Sequence, residues 1–515
     1  MALDLLPVSI DWTTGTIITV ISIIYVYFTW TYDYWKDRNV PFEKPKFFFG
    51  NFKDVFFVKK TVGDLMVELY RKLDGNPYVG VYRFLTPAVL VRDPDLIKAI
   101  LIKDFQSFER NARSIDEKMD PLLARNPSFN SGEKWEKMRS QLTPSFMSGK
   151  MRPLLSLIQE VATDMLKYVQ DVAPSSRPDG IEVKELACKF TTDVVDTCVF
   201  GISGQSFKNQ DADMQRMRRS ILTSQFKKNF QYFITLIFPW TNKFLKARLI
   251  NPDVADYYRG VIKKVVEYRT SNSIVRQDYL QQLLQQKSKT VEDGSKYTDE
   301  DVTGHAMMFL VEGIEPSSIT LSFLLYEMAM NSDIQTKLRE ELHAAMERSD
   351  EPLNYDTIMG LPYLNMVFLE TLRKHPPVLL LEKLCTQPYE LPILPGGTEP
   401  VLLEPGTLVL LPAKALHHDH KYFPQPHIFD PERFSEGRRN TIPRFAYLPF
   451  GEGPRLCLGR RFAELQIKVG VASIILHYDI KRTVKTPDPV VQDPDHFFAT
   501  AKDGLWLDFQ KLETD

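Results

Sequence analysis

Cysteine is scarce in this chain, with 4 among 515 residues. That is too few for the disulfide framework of a small secreted protein. Short-spaced ligand pairs are missing as well. Cys188 and Cys198 are ten apart, Cys385 stands alone and no C-x-x-C occurs, which removes a zinc site built on cysteine. His417, His418 and His420 lie in a proline-flanked run and are expected on the surface rather than around a metal. Net charge is nearly absent: 64 Lys+Arg against 66 Asp+Glu leave −2, whereas a nucleic-acid-binding domain needs a basic face. No repeat recurs, and Gly451–Gly453 lacks the spacing of a dinucleotide fingerprint, so no flavin or dinucleotide motif is present. Basic residues are missing before Lys36, which argues against a cleaved signal peptide.

What is present is apolar and aromatic. The chain is 43% hydrophobic and 25% charged, with 33 Phe and 21 Tyr, enough to bury a large core. Length alone predicts three or four domains at ~150 residues each. Between Asp11 and Asp33 lie 21 uncharged residues, the length a helix needs to cross a bilayer. Tyr25, Tyr27, Phe28, Trp30, Tyr32, Tyr34 and Trp35 crowd its far end like an interfacial belt. Lys36, Arg38, Lys44 and Lys46 then mark the cytoplasmic side. The expected order is a luminal tip and anchor over residues 1–35, a proline-stiffened linker over 36–50 (Val40-Pro41-Phe42-Glu43-Lys44-Pro45), and one domain over 51–515.

That domain reads as mainly α with small β-sheets. Tyr78–Tyr82 and Ala88–Val91 are predicted strands joined at Thr86-Pro87. A long helix starts at the N-cap Thr298, followed by Asp299, Glu300 and Asp301, and is expected to run to about Asn331. Ser332 with Gln335 predicts a capping box on the next helix. Gln285–Tyr297 is a polar surface connector.

Cys457 is unlike the other cysteines. It closes Phe450-Gly451-Glu452-Gly453-Pro454-Arg455-Leu456-Cys457-Leu458-Gly459, ahead of an amphipathic helix from about Arg460. A thiolate there gains from the positive end of the helix, and the glycines let the backbone turn closely. This loop resembles the ligand loop of the haem-thiolate monooxygenases, the cytochrome P-450 superfamily, at Phe450, Gly453, Arg455, Cys457 and Gly459. The resemblance implies that Cys457 ligates the iron of haem b, that Arg455 meets a propionate, and that Phe450 shields the sulfur. Glu370-Thr371-Leu372-Arg373 and Pro431-Glu432-Arg433-Phe434 are similar to the family's structural Glu–Arg–Arg cluster. Trp135 and Arg139 look like its helix that contacts a propionate, and Leu142–Met151 is similar to insect microsomal members.

Three positions depart from the family pattern. Over the haem the chain reads Glu312-Gly313-Ile314-Glu315-Pro316-Ser317-Ser318: Gly313 and the acid Glu315 match, which by resemblance makes Glu315 a catalytic residue and Gly313 a haem contact, while Pro316 replaces the threonine that helps deliver protons to bound oxygen. The proline is expected to kink the helix, and Ser317 points ~100° away. Glu312 replaces a small residue and, with His305, Phe309 and Pro316, is expected to face the haem. Resemblance to fatty-acid ω-hydroxylases implies an ester link to a haem methyl; the residue itself equally reads as a substitute proton relay or as a carboxylate bound to water or backbone. Lys383 stands where relatives have an arginine facing a propionate.

The resemblance implies an oxygen-dependent monooxygenase of the endoplasmic reticulum. O2 and NADPH electrons would reach it through a flavoprotein reductase, with cytochrome b5 as a further donor. Lys134, Lys137, Arg460 and Lys468 are the candidate docking face, and a lipophilic substrate is expected. Phe108–Asn130, Phe233–Phe238, the helix around Phe309, Val378–Leu381 and Phe497-Phe498-Ala499 are expected to line its pocket, with Phe233–Phe238 also placed against the membrane or in the core. Pro316 keeps two rivals open, a haem-thiolate peroxide isomerase or dehydratase and a non-catalytic haem protein that binds a hydrophobic ligand.

Overall fold

A computed structural model describes residues 12–175, 178–208, 217, 241, 244, 248–287, 297–348 and 353–513. The expected membrane segment is a helix, α1 (Trp12–Thr29), none of whose residues is buried. At 1.5 Å per residue it is ~27 Å long, about the thickness of a hydrocarbon core. Its hydroxyls turn inward: Thr16, Thr19 and Thr29 donate to the carbonyls of Trp12, Gly15 and Tyr25 at 2.7, 2.9 and 2.8 Å. Polar groups satisfied within the helix suit an apolar medium.

Not every aromatic after α1 belongs to an interfacial belt. Trp35 is fully buried, and its indole N–H donates to the Val81 carbonyl at 3.1 Å. Gly80 makes that approach possible, because a Cβ there would stand 2.4 Å from the ring. Residues 36–50, expected as a spacer, lie along the first sheet through bridges from Phe42 to Gly80 and from Gly50 to Arg83.

The longer helices of the body are α2 (Val62–Lys72), α3 (Gly132–Leu142), α4 (Leu154–Val172), α5 (Val183–Val195), α6 (Pro252–Ser271), α7 (Tyr279–Lys287), α8 (Asp299–Glu312), α9 (Glu315–Met330), α10 (Ser332–Glu347), α11 (Pro362–Lys374) and α12 (Arg460–His477). The strands are β1 (Tyr78–Arg83), β2 (Thr86–Val91), β3 (Ile181–Glu182), β4 (Leu381–Leu384), β5 (Tyr389–Leu391), β6 (Val401–Leu403), β7 (Leu408–Leu411), β8 (Tyr478–Arg482) and β9 (Trp506–Lys511). They form sheets of order β1-β2-β7-β4, β3-β9-β8 and β5-β6. The first is mixed: β2 runs parallel to β7, with Ala88 opposite Leu408, and its other pairs are antiparallel. Every residue of β7 is buried, as a strand covered on both faces requires.

At the centre is α9, buried from Ser317 to Met328 and packed on α5 and α12. α8 and α9 together are as long and apolar as a membrane span, yet they are mostly buried in the body. Thr298 caps α8 as expected, its hydroxyl accepting from the Asp301 N–H while the Asp301 carboxylate accepts from the Thr298 N–H at 2.8 Å. The expected continuous helix is interrupted at Gly313-Ile314. The Phe309 carbonyl accepts from both Gly313 N–H (3.0 Å) and Ile314 N–H (3.2 Å), and Ser318 N–H to Ile314 restarts the ladder at 2.9 Å. Pro316 therefore sits in the first turn of α9, where its missing N–H costs nothing. The capping box expected on α10 does not form. Asn331 is its N-cap, and buried Gln335 bridges to Met328 and Ile480 carbonyls at 3.1 and 3.0 Å.

Candidate functional site

The Cys457 loop is shaped by one close approach. Gly453 has φ +78°, and a Cβ on it would lie 2.1 Å from the Leu101 carbonyl oxygen. Cys457 N–H donates to Phe450 O at 2.9 Å, closing the turn. α12 starts three residues later, so Sγ lies at a helix N-terminus and receives the Gly459 N–H. Burial pushes the thiol up to about 11; Gly459, Arg139 and Arg460 oppose this, and Glu312 adds to it. The Phe450 ring packs near Phe368, 6.4 Å between centroids, with the Arg460 guanidinium over it.

Beside the loop is a group of cations short of acids. Arg455 donates to the carbonyls of Pro127 (3.3 Å) and Asn130 (2.8 Å) and lies 4.3 Å over the Trp135 ring. Its Nε is buried without a hydrogen-bond partner. Arg139 donates to the Leu456 carbonyl at 2.7 Å. Lys383 is buried and donates to Asn111 Oδ1 at 2.8 Å. Burial, with Arg139 nearby, brings Arg455 down to about 10; burial, with Arg455 nearby, brings Lys383 down to about 7. Glu109 is the acid that offsets both, and its carboxylate is held by the Gly132 N–H at 2.9 Å.

Cys457 and Glu312 both carry accessible surface while lying deep in the protein, so that surface opens on an internal chamber. A soft sulfur ligand on one side and several cations offset by the single acid Glu109 on the other suit an iron porphyrin with two carboxylates. The buried, unpartnered Nε of Arg455 marks where an acceptor belongs. The residues present therefore fit haem: Cys457 would hold the iron, and Arg455, Arg139, Lys383 and Trp135 would meet the propionates.

Glu312 ends α8 and takes no cation. Its Oε1 accepts from Asn126 Nδ2 at 2.7 Å, and the Ser128 side chain also hydrogen-bonds to it. Burial raises its pKa against these two donors. Gly313 follows at the helix break, with no room for a Cβ beside the Phe309 carbonyl, 2.7 Å away. Glu315 points elsewhere: it is buried and ion-paired with Lys184 of α5 at 2.9 Å. His305 and Phe309 share Glu312's helical face but enter the core. His305 meets Tyr297, and Phe309 packs on Phe146, Tyr279 and Phe462 at 5.5, 4.6 and 5.6 Å.

The cluster of Glu370, Arg373 and Arg433 is assembled. Glu370 accepts from Arg373 at 2.7 and 2.8 Å and from the Asp430 N–H at 2.9 Å, with Arg433 at 3.4 Å. His417 and His418, expected at the surface, are interior ties instead. His417 Nε2 accepts from the Leu448 N–H at 2.8 Å, and burial brings its pKa down to about 3. His418 bonds the Lys374 carbonyl at 2.8 Å, while His420 is exposed. Among the described residues no group of His, Cys, Asp and Glu is placed to hold a metal ion.

Lys468 leaves the expected docking face: it is fully buried and paired with Glu464 at 2.9 Å. Lys134 and Arg460 are exposed. Of the expected pocket segments, Ala499 N–H meets the Pro377 carbonyl at 3.2 Å, joining 497–499 to 378–381. Phe497 stacks on Arg113, while Phe108 turns into the core against Tyr389. Phe233–Phe238, the tip before Trp12 and residues 288–296 of the polar connector lie outside the described residues. Sequence reasoning missed Asn126, Ser128, Asn111 and Lys184, polar residues whose partners are 186, 184, 272 and 131 positions away, too far for any local pattern to reveal.

A family model described as Cytochrome P450 matches residues 40–506. The chain is similar to "Cytochrome P450 6j1" of Blattella germanica, 35% identical over 96% of this chain and 97% of the relative. It is also similar to "Cytochrome P450 9e2" of the same species, 31% identical over 97% of each. "Probable cytochrome P450 6a13" of Drosophila melanogaster is 33% identical over 96% of this chain and 98% of the relative. The family model covers most of the chain and the relatives nearly all of it, and the chain belongs to the cytochrome P450 family of haem-thiolate monooxygenases.

Proposed function

We propose that this enzyme inserts one oxygen atom of O2 into a lipophilic substrate from the cytosolic face of the endoplasmic reticulum, anchored by α1 and fed electrons by an NADPH-dependent flavoprotein reductase. Cytochrome b5 is a second donor in this reading. The observation that carries it is that Cys457, a soft sulfur ligand at the start of α12, and the Glu312 carboxyl at the end of α8 open on the same interior space. Haem held on Cys457 supplies dioxygen activation, which an anionic sulfur ligand favours.

The chain's own residues do the rest. Arg455, Arg139 and Lys383 would hold the propionates and orient the ring. Glu312 takes over the proton-donating task of the hydroxyl that Pro316 lacks: burial raises its pKa, so the carboxyl carries a proton closer to neutral pH. Glu315, tied to Lys184, positions the first turn of α9. Lys134, Lys137 and Arg460 form the reductase face, next to a groove of about 620 Å³ lined by Phe105, Trp135, Arg139, Met147 and Pro454.

Purified holoprotein with reductase and NADPH tests this. Product that depends on NADPH is expected from lipophilic substrates, and Glu312→Gln should divert electrons to peroxide or water. Turnover of hydroperoxides without NADPH would instead make the protein an isomerase, and ligand-induced spectral shifts without turnover would make it a binder.

A further inference from the structure

The segment 126–130 is held on two sides. On one side, Arg455 donates to Pro127 and Asn130 carbonyls at 3.3 and 2.8 Å. Asn111, itself bonded to Lys383, donates to the Ser128 carbonyl at 2.9 Å. On the other side, Asn126 Nδ2 and the Ser128 side chain reach the Glu312 carboxylate at the end of α8. Asn126 is 1% exposed, and its own Oδ1 accepts the Ser128 N–H at 2.8 Å, so it has little freedom to seek another acceptor. Asn130 stiffens the turn by donating to the Ala124 and Asn126 carbonyls, both at 2.8 Å.

The asymmetry matters. The Arg455 side is anchored to the cation cluster; on the helix side Arg125 pairs with Asp301 at the start of α8 at 2.9 Å, while at the far end of α8 the loop is held by one carboxylate and two neutral donors. Glu312 also sits where α8 ends, so nothing beyond it in that helix reinforces the contact. Resting on the reading of the chamber as the substrate site, we propose that Glu312 is a clasp. As a positioning residue it holds the loop over residues 111–130 against the broken end of α8, and so sets how fast bulky ligands enter and leave. The carboxylate acts here as a hydrogen-bond acceptor, a role separate from its proton.

Glu312→Gln separates the two roles, because its amide oxygen still accepts from Asn126 while the side chain neither donates an acidic proton nor forms an ester. The test uses full-length holoprotein in two measurements: hydrogen–deuterium exchange across 111–130, and stopped-flow dissociation of 4-phenylimidazole against carbon monoxide. Glu312→Ala and Asn126→Ala should speed exchange and release the azole about threefold to tenfold faster, the worth of one net hydrogen bond. Carbon monoxide, small enough to pass a closed loop, should change little. Glu312→Gln should stay near wild type in both measurements even where its NADPH coupling falls. Unchanged exchange and azole release in Glu312→Ala would overturn the clasp. So would a Gln variant as fast as the Ala variant, or haem that stays on denatured wild type but leaves denatured Glu312→Gln. If no lipophilic compound is oxidised at all, the proposed reaction fails while the exchange measurement still reads the clasp.

Discussion

Arg373 and Arg433 in one place, and Arg455 and Lys383 in another, are two pairs of buried cations that the protein solvates in opposite ways. The first pair faces Glu370, and every group in the triad has a partner of opposite charge within 3.4 Å. The second pair faces backbone carbonyls, an asparagine and one another. Like charge and burial hold Arg455 down to about 10 and Lys383 down to about 7. A closed cluster spends its electrostatics on the fold. An open one keeps electrostatic energy in reserve, to be released when anions arrive. The difference separates structure from ligand binding more clearly than either motif does in the linear sequence.

Removing the acid of the closed cluster should have the largest effect. Glu370→Ala leaves two arginines buried without a counter-charge and should cost about 3–5 kcal/mol, read by urea unfolding or by the yield of folded holoprotein. Stability close to wild type would mean that the triad is not the closed unit described here. Next comes the open cluster. Arg455→Met should cost the apoprotein much less than Glu370→Ala, because the lost repulsion offsets the lost hydrogen bonds to Pro127 and Asn130, yet speed haem transfer to a scavenger protein about tenfold or more. Equal losses of fold and haem would erase the distinction between the clusters.

The smallest effect is a pH slope. Between about 7 and 10.5 the unfolded chain keeps a proton on Lys383 that the folded chain has released. Apoprotein stability should therefore rise with pH across that window and be lowest below about 7. Lys383→Met should remove this contribution, read as the difference between the two urea-unfolding series. Haem should shrink it too, since propionate charge restores the lysine's proton. A slope unchanged by the substitution would place the titration elsewhere.

The contiguous motifs were legible because their chemistry is local. Cys457, Arg455 and the glycines shape one turn, and Thr298 caps α8 through residues on its own first turn. Lys468 misled for the same reason: one turn from Glu464 on an amphipathic helix, it reads as a surface cation, and only the packing of α12 against the body buries it. Trp35 looked interfacial because aromatics are common at membrane surfaces, and nothing in the linear sequence announces that Gly80 has left space for its ring. Pro316 was expected to bend one helix, whereas the backbone placed the break before it, at Gly313-Ile314, where the proline's missing donor is harmless.

By itself the sequence determined the class of chemistry, an apolar N-terminal span, and the residue types of the cysteine loop, since each depends on groups within a few positions of one another. Tertiary structure alone decided which buried charges are matched, which carboxylate faces the chamber, and what holds it there. Glu312 and Glu315 show why. Three residues apart on one stretch of chain, they end with Asn126 in one case and Lys184 in the other. An unbroken helix would set them about 60° apart, on nearly the same face. The break at Gly313-Ile314 and the packing of distant segments sent one carboxylate to the chamber and the other to α5.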